Sequence, residues 1–171
     1  MSPTTLAFAG KSPLIHKTAW IAPGVWLIGD VHIHEEASLW FNCVLRADIN
    51  SIHIGKRSNI QDNCTLHVAD DHGVIIGDYV TVGHNAILHA CEIGNTCLIG
   101  MGAIVLDGAK IGDETIIGAG TLVTGNKKFP PGVLILGNPG KVVRELTPEE
   151  RKNIRHHADK YFLEIAQKYL K

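Results

Sequence analysis

The sequence predicts a mainly β fold, a parallel β-helix of hexapeptide repeats with a C-terminal α-helix. Three observations carry this. Ile15, Ile21, Leu27, Ile33, Leu39 and Leu45 fall at strict intervals of six, and so do Ile93, Ile99, Val105, Ile111, Ile117 and Val123. Six fits neither the 3.6 of a helix nor the 2 of a simple strand, and a fixed short period is the mark of a solenoid. Glycine directly follows the aliphatic residue at Gly55, Gly77, Gly83, Gly94, Gly100, Gly112 and Gly118, where it is expected to tolerate a tight corner between short strands. The 18 glycines and an aromatic content of only 6% suit a repetitive backbone around a narrow interior.

Taken in order, the repeats run from about residue 12 to 137, and three hexapeptides make one triangular coil of 18 residues. Two shorter runs, Ile54, Ile60, Leu66 and then Ile76, Val82, Leu88, join the long ones. The joins are irregular. Leu45 to Ile54 carries three extra residues around ADINS, Leu66 to Ile76 four extra around ADDHG, and Leu88 to Ile93 is one short. Insertions in a solenoid are expected as loops on one face, often the functional one. The position four after each aliphatic is small at Ala19, Ala37, Cys43, Cys64, Ala86, Cys97, Ala103 and Ala109. It reads as a second inward site, with Cys43, Cys64 and Cys97 as buried fillers. Residues 138–146 read as a linker. Thr147, Pro148 and Glu150 then give an N-cap, a first helical proline and a capping box. Ile154, Ala158, Tyr161, Ile165 and Tyr169 or Leu170 make an apolar stripe. The helix, about 147–170, is expected to pack along the outside of the solenoid within one domain.

Composition excludes several roles. A formal charge of −1 on 171 residues gives no electrostatic reason to expect nucleic acid or an anionic membrane as partner. The start, MSPTTLAFAG, lacks the pattern of a signal peptide, and no apolar run approaches the ~20 residues needed to span a bilayer. Four cysteines without a C-x-x-C pair suit a reducing compartment, so a cytoplasmic location is expected.

Three of the ten histidines stand apart. Allowing for the insertions, Leu45, Leu66, Leu88 and Val105 stack in one column, which places Arg46, His67, His89 and Leu106 in the next. His67 and His89 are therefore one coil apart, at the ~4.8 Å spacing of stacked strands, and can grip one metal ion. His84 sits on another face, on the order of 16 Å of extended chain from His89, whereas zinc needs each nitrogen at about 2.0–2.1 Å. Either His84 is a surface residue, or it completes the site from a neighbouring chain. Side-by-side triangular prisms suit a closed C3 ring. The inference is a homotrimer with interfacial metal sites, each using His67 and His89 of one chain and His84 of the next. The other histidines read as surface residues.

The strings NIQDNCTLH, GHNAILH and LRAD closely resemble the γ-class carbonic anhydrase family, and the similarity runs through GNPGKVVREL to the terminal helix. The resemblance implies a left-handed β-helix, a trimer, and interfacial Zn2+ for which Fe2+ or Co2+ can substitute. It implies His67, His84 and His89 as ligands. It also implies hydration of carbon dioxide to bicarbonate. Arg46 and Asp48 match the arginine and aspartate near that site, with the arginine pairing across the interface to the match of Asp62. Gln61 matches a glutamine that orients the attacking hydroxide, and Asn59 a further polar site residue. Tyr161 is better read as packing. Two departures put the proton shuttle in doubt: Ile49 stands where the best-studied pattern has a glutamate, and VADDHG replaces a long acidic loop. Asp70, Asp71 and His72 are candidates by position. The alternatives are a hexapeptide acyltransferase, or a catalytically weak metal-binding or scaffold member of the same family.

Overall fold

The computed structural model describes residues 3–169; Leu170 lies outside them. The six-residue period becomes three stacked columns of short parallel strands. One runs Leu27, Leu45, Leu66, Leu88, Val105, Val123, each in register with the next. A second runs Ile21, Leu39, Ile60, Val82, Ile99, Ile117, Ile135. The third runs Ile15, Ile33, Ile54, Ile76, Ile93, Ile111, Phe129. Most of these side chains are fully buried and form a single continuous core. The small positions behave as the spacing implied: Ala37, Cys43, Cys64, Ala86, Cys97, Ala103 and Ala109 are all sealed inside, and Ala19 is partly buried. The cysteines are free thiols. Cys43 donates to the Gln61 carbonyl at 3.0 Å and Cys64 to that of Gly83 at 3.2 Å. The hydrogen bond with Cys43, and then burial, raises the Cys64 pKa; burial raises that of Cys91 and pushes that of Cys97 up to about 12.

The glycines do a different job from the one the sequence suggested. Gly55, Gly77, Gly83, Gly94, Gly100, Gly112 and Gly118 do not have positive φ. They are needed because a Cβ there would run into the neighbouring coil; at Gly100 it would lie 2.4 Å from the Ala119 nitrogen. The left-handed corner falls two residues later, at Arg57, Tyr79, Asn85, Thr96, Gly102, Glu114 and Gly120.

The two insertions also differ from each other. ADINS is not a loop but part of one continuous strand, Val44–Ile54. That strand pairs with Trp26–Ile33 as far as Gly29↔Ala47 and resumes at Val31↔Ile52, so the three extra residues are a bulge at a corner. VADDHG is a true turn, closed by Ala69 N–H donating to the His72 carbonyl at 2.9 Å. Asn50 of the bulge donates to the carbonyls of Ala69 and Asp70, both at 3.2 Å, so one irregularity buttresses the other.

At the far end, the segment read as a linker forms a strand, Gly140–Glu145, antiparallel to Val133–Gly137. The capping box at Thr147 and Glu150 is present and opens α1, Pro148–Lys160. A wider π-helical stretch, Tyr161–Ala166, continues it. The wider turn changes the inward set: Ile154 and Ala158 are buried as expected, but they are followed by Phe162 and Ala166, with Tyr161 and Ile165 only partly covered. The helix lies over the second column. Tyr161 packs edge-on against Trp40 with ring centres 5.5 Å apart, and Tyr169 lies 5.0 Å from Trp20.

Candidate functional site

The first column delivers the register on which the histidine argument depends. Arg46 pairs with His67, and His67 with His89. The ring centres of His67 and His89 are 5.0 Å apart, and His67 Nδ1 faces His89 Nε2 at 3.0 Å. The remaining nitrogen of each ring meets a carboxylate. His89 Nδ1 lies 2.6 Å from Asp107 Oδ1 and His67 Nε2 lies 3.2 Å from Asp48 Oδ1. Asp48 is also paired with Arg46. Burial pushes the Asp48 carboxyl up, but the hydrogen bonds from Arg46 and His67 outweigh it and hold the pKa below the ordinary value.

These contacts decide where the protons sit. A carboxylate accepts only, so His89 carries its proton on Nδ1 and His67 on Nε2. The two nitrogens that face each other then both present lone pairs. At 3.0 Å such a pair needs a proton or a cation between them. Nitrogens sharing a tetrahedral zinc at about 2.0–2.1 Å lie on the order of 3.3 Å apart, so the gap is close to a two-nitrogen bite. The residues present fit half of a metal site.

His84 is not part of it. Its Nδ1 meets Asp62 Oδ2 at 2.7 Å on the corner after the second column, and Asp62 lies one coil below it. Among the described residues no three His, Cys, Asp or Glu side chains converge on one point. Gln61 and Asn59 are on the face beneath the helix, almost fully buried. Gln61 donates to Asn59 Oδ1 at 3.3 Å, and Asn59 donates to Thr81 Oγ1 at 2.9 Å. Tyr161 packs as expected; burial and the Asp62 charge raise its pKa, and the Gln61 amide partly offsets the rise. The chain thus carries two separate groups. One is Arg46, Asp48, His67 and His89; the other is Asn59, Gln61, Asp62 and His84. In the turn beside the first, His72 pairs with Asp71 at 2.9 Å.

Sequence reasoning missed Asp107. The column count placed Leu106 above His89 and stopped there, although an acidic residue one position on was a visible candidate for the second ring nitrogen. It also read His157 as an ordinary surface residue, whereas its Nδ1 lies 3.3 Å from Thr81 Oγ1.

Comparison with known proteins agrees with the fold. The bacterial transferase hexapeptide family (six repeats) matches residues 90–125. The chain is 43% identical over 157 residues to gamma carbonic anhydrase 1, mitochondrial, of Arabidopsis thaliana, covering 88% of this chain and 57% of that protein. It therefore spans little more than half the length of that relative. It is 48% identical over 162 residues to a carbonic anhydrase of Geobacillus kaustophilus, covering 95% of this chain and 88% of that one. A solved Bacillus cereus structure that carries an acetyltransferase name matches with a TM-score of 0.94 at 48% identity, covering 96% and 95% of the two chains. No helix among the described residues is long and apolar enough to cross a membrane.

Proposed function

Because this chain belongs to the γ-class carbonic anhydrase family, we propose that it is a metal-dependent carbonic anhydrase acting as a homotrimer, hydrating carbon dioxide to bicarbonate and a proton. The observation that carries the reading is the pair of facing lone pairs on His67 and His89, each fixed by a carboxylate behind it. Asp107 and Asp48 set the tautomers, so both rings present unprotonated nitrogens to one point. Asp62 does the same for His84: with Nδ1 engaged, Nε2 faces outward for a neighbouring copy. Exposed Trp26 and Ile87 lie on the same column as the histidine pair, and apolar surface of that kind suits burial between copies.

A bound zinc, iron(II) or cobalt(II) ion supplies the acidity that makes water a nucleophile near neutral pH. Gln61 holds the nucleophile's hydrogen so that its lone pair faces the substrate, with Asn59 holding Gln61. Apolar side chains at the interface receive carbon dioxide. Arg46 reaches the Asp62 of the adjacent copy, exchanging the pairing with Asp48 for one that ties the two halves together. The released proton leaves by the turn that carries Asp70, Asp71 and His72, a short and exposed route, so proton transfer limits turnover. Four free thiols suit a reducing compartment and support the reading of a cytoplasmic location.

The acetyltransferase name of the Bacillus cereus neighbour favours one rival, acyl transfer from coenzyme A. Stopped-flow hydration with zinc-, iron(II)- and cobalt(II)-loaded protein, measured beside His89→Ala and with the mass in solution, separates the readings. The carbonic anhydrase reading expects a trimer whose rate collapses in the variant. Equal rates in both proteins count against it, and acetyl-CoA binding with no hydration favours the rival.

A further inference from the structure

The buried polar groups beneath the helix admit one consistent hydrogen-bond order. A backbone carbonyl can only accept, so the Asn59 atom 3.5 Å from the Val80 oxygen is the amide nitrogen. That nitrogen also donates to Thr81 Oγ1 at 2.9 Å. The Asn59 oxygen is therefore the atom that meets Gln61, and Gln61 must present its nitrogen, at 3.3 Å. Thr81 is buried, and His157 Nδ1 at 3.3 Å is the side-chain acceptor its hydroxyl hydrogen meets, so Thr81 accepts from Asn59 and donates to His157. The result is a one-way chain from Gln61 through Asn59 and Thr81 to His157. With its nitrogen held by Asn59 Oδ1, Gln61 has Oε1 left to accept a hydrogen.

We propose that Thr81 and His157 are positioning residues for the reaction. Together they fix the Gln61 amide with its oxygen toward the reacting centre, Thr81 as the link and His157 Nδ1 as the terminal acceptor. A glutamine that steers a nucleophile must accept the nucleophile's hydrogen, and a flipped amide would offer a donor instead. The two ends of an amide have nearly the same shape, so hydrogen bonds must set the order; the Val80 carbonyl contributes a long bond at 3.5 Å and Thr81 the shorter one at 2.9 Å. Desolvation against the face, with Lys160 and His156 nearby, lowers the His157 pKa, so the ring is neutral and able to accept at neutral pH. The residue is exposed on its outer side, so changing it does not open the core.

The catalytic consequence rests on the carbonic anhydrase reading; the hydrogen-bond order does not. The test uses zinc-loaded full-length protein and the variants Thr81→Val, Thr81→Ser and His157→Leu. Long-range proton–nitrogen NMR should find His157 as the Nε2–H tautomer in wild type and Thr81→Ser, and as a mixture of tautomers in Thr81→Val. Loss of one buried hydrogen bond should lower kcat roughly three- to tenfold in Thr81→Val and His157→Leu, with KM unchanged and Thr81→Ser restored. An Nδ1–H tautomer or a mixture in wild type overturns the proposal, as does a normal kcat in Thr81→Val. If wild type has no hydratase activity, the reading of function fails separately, and the NMR result alone decides the order of the chain.

Discussion

Gly100 and Gly102 sit on the same corner, and the structure gives them opposite reasons to be glycine. A Cβ at Gly100 would lie 2.4 Å from the Ala119 nitrogen and 2.5 Å from the Gly118 carbonyl carbon. Both are backbone atoms of the next coil, so relief means opening the coils by about 1 Å from their ~4.8 Å spacing. The bond from Gly100 N–H to the Ile117 carbonyl, now 2.7 Å, would stretch out of range. Overpacking costs ~1–3 kcal/mol and the lost bond about 1 kcal/mol more, so Gly100→Ala should destabilise by roughly 2–4 kcal/mol. Gly102 has φ +66° and nothing within 4 Å of its would-be Cβ. Its Ala variant meets only the left-handed penalty of ~1–2 kcal/mol, offset by about 0.4–1 kcal/mol of unfolded-state entropy. Gly102→Asn should be nearly neutral, since Asn42, Asn63, Asn85 and Asn126 already adopt this conformation. For a chain of this length 1 kcal/mol moves the thermal midpoint by about 2–4 °C. Melting followed by circular dichroism should therefore show Gly100→Ala lower by roughly 5–15 °C and Gly102→Asn within ~2 °C of wild type. If Gly102→Ala falls as far as Gly100→Ala, contact between coils is not what these glycines relieve.

Two further expectations concern carboxylates. Asp107→Ala removes the partner that fixes the His89 tautomer, and such losses cost about 10–100-fold in metal affinity. Because Asp107 is 55% exposed, the lower end is expected: zinc held roughly tenfold more weakly by chelator competition, with a smaller loss in Asp107→Asn, and unchanged affinity in both would refute the role. Glu150 accepts from both Arg144 terminal nitrogens, at 2.8 and 2.7 Å, and from the Thr147 N–H at 2.9 Å. Led by Arg144, these bonds lower its pKa from 4.5 to about 2. The unfolded chain therefore binds the proton more readily between those values. The contribution is complete above about pH 4.5 and fades as pH falls through about 2. The stability gap between wild type and Glu150→Gln should shrink across that window and close below it, and a gap that widens on acidification would show the sign to be wrong.

The columns were legible because a period of six over many coils leaves one way to stack them. Counting three extra residues at ADINS put Arg46 under His67, and counting four at ADDHG put His67 under His89. The same count could not see that ADINS stays in a strand, because a bulge and a loop have the same length. Glycine's purpose was hidden for a related reason. A residue that avoids a clash and one that needs positive φ are the same letter, and only the distance to the next coil separates them. Asp107 was visible as an acidic residue beside the column and Thr81 was not visible at all; the role of each lies in where a side chain points, which a backbone period does not carry. The helix was readable at its capped start and misread further on, where a π-helical stretch moved burial to Phe162 and Ala166.

The shape of the solenoid bears on how a metal site can be completed at all. A triangular prism is convex everywhere, and outward side chains on successive faces diverge. Side chains at one corner, on adjacent coils, are the ones that approach closely enough to share an ion. In the column that holds His67 and His89, the position below is Arg46 and the strand above ends at Val105, so no third nitrogen or carboxylate ligand follows in line. Aspartates stand beside both rings, but they occupy the far nitrogens and set tautomers instead of turning toward the shared point. On the proposed reading a third ligand comes from a surface that faces this edge. His84, whose Nδ1 is engaged by Asp62 on the next corner, would supply it from a copy placed alongside. Convexity would then account for a division of the ligands as two and one, with the residues proposed to handle the nucleophile on the side of the one.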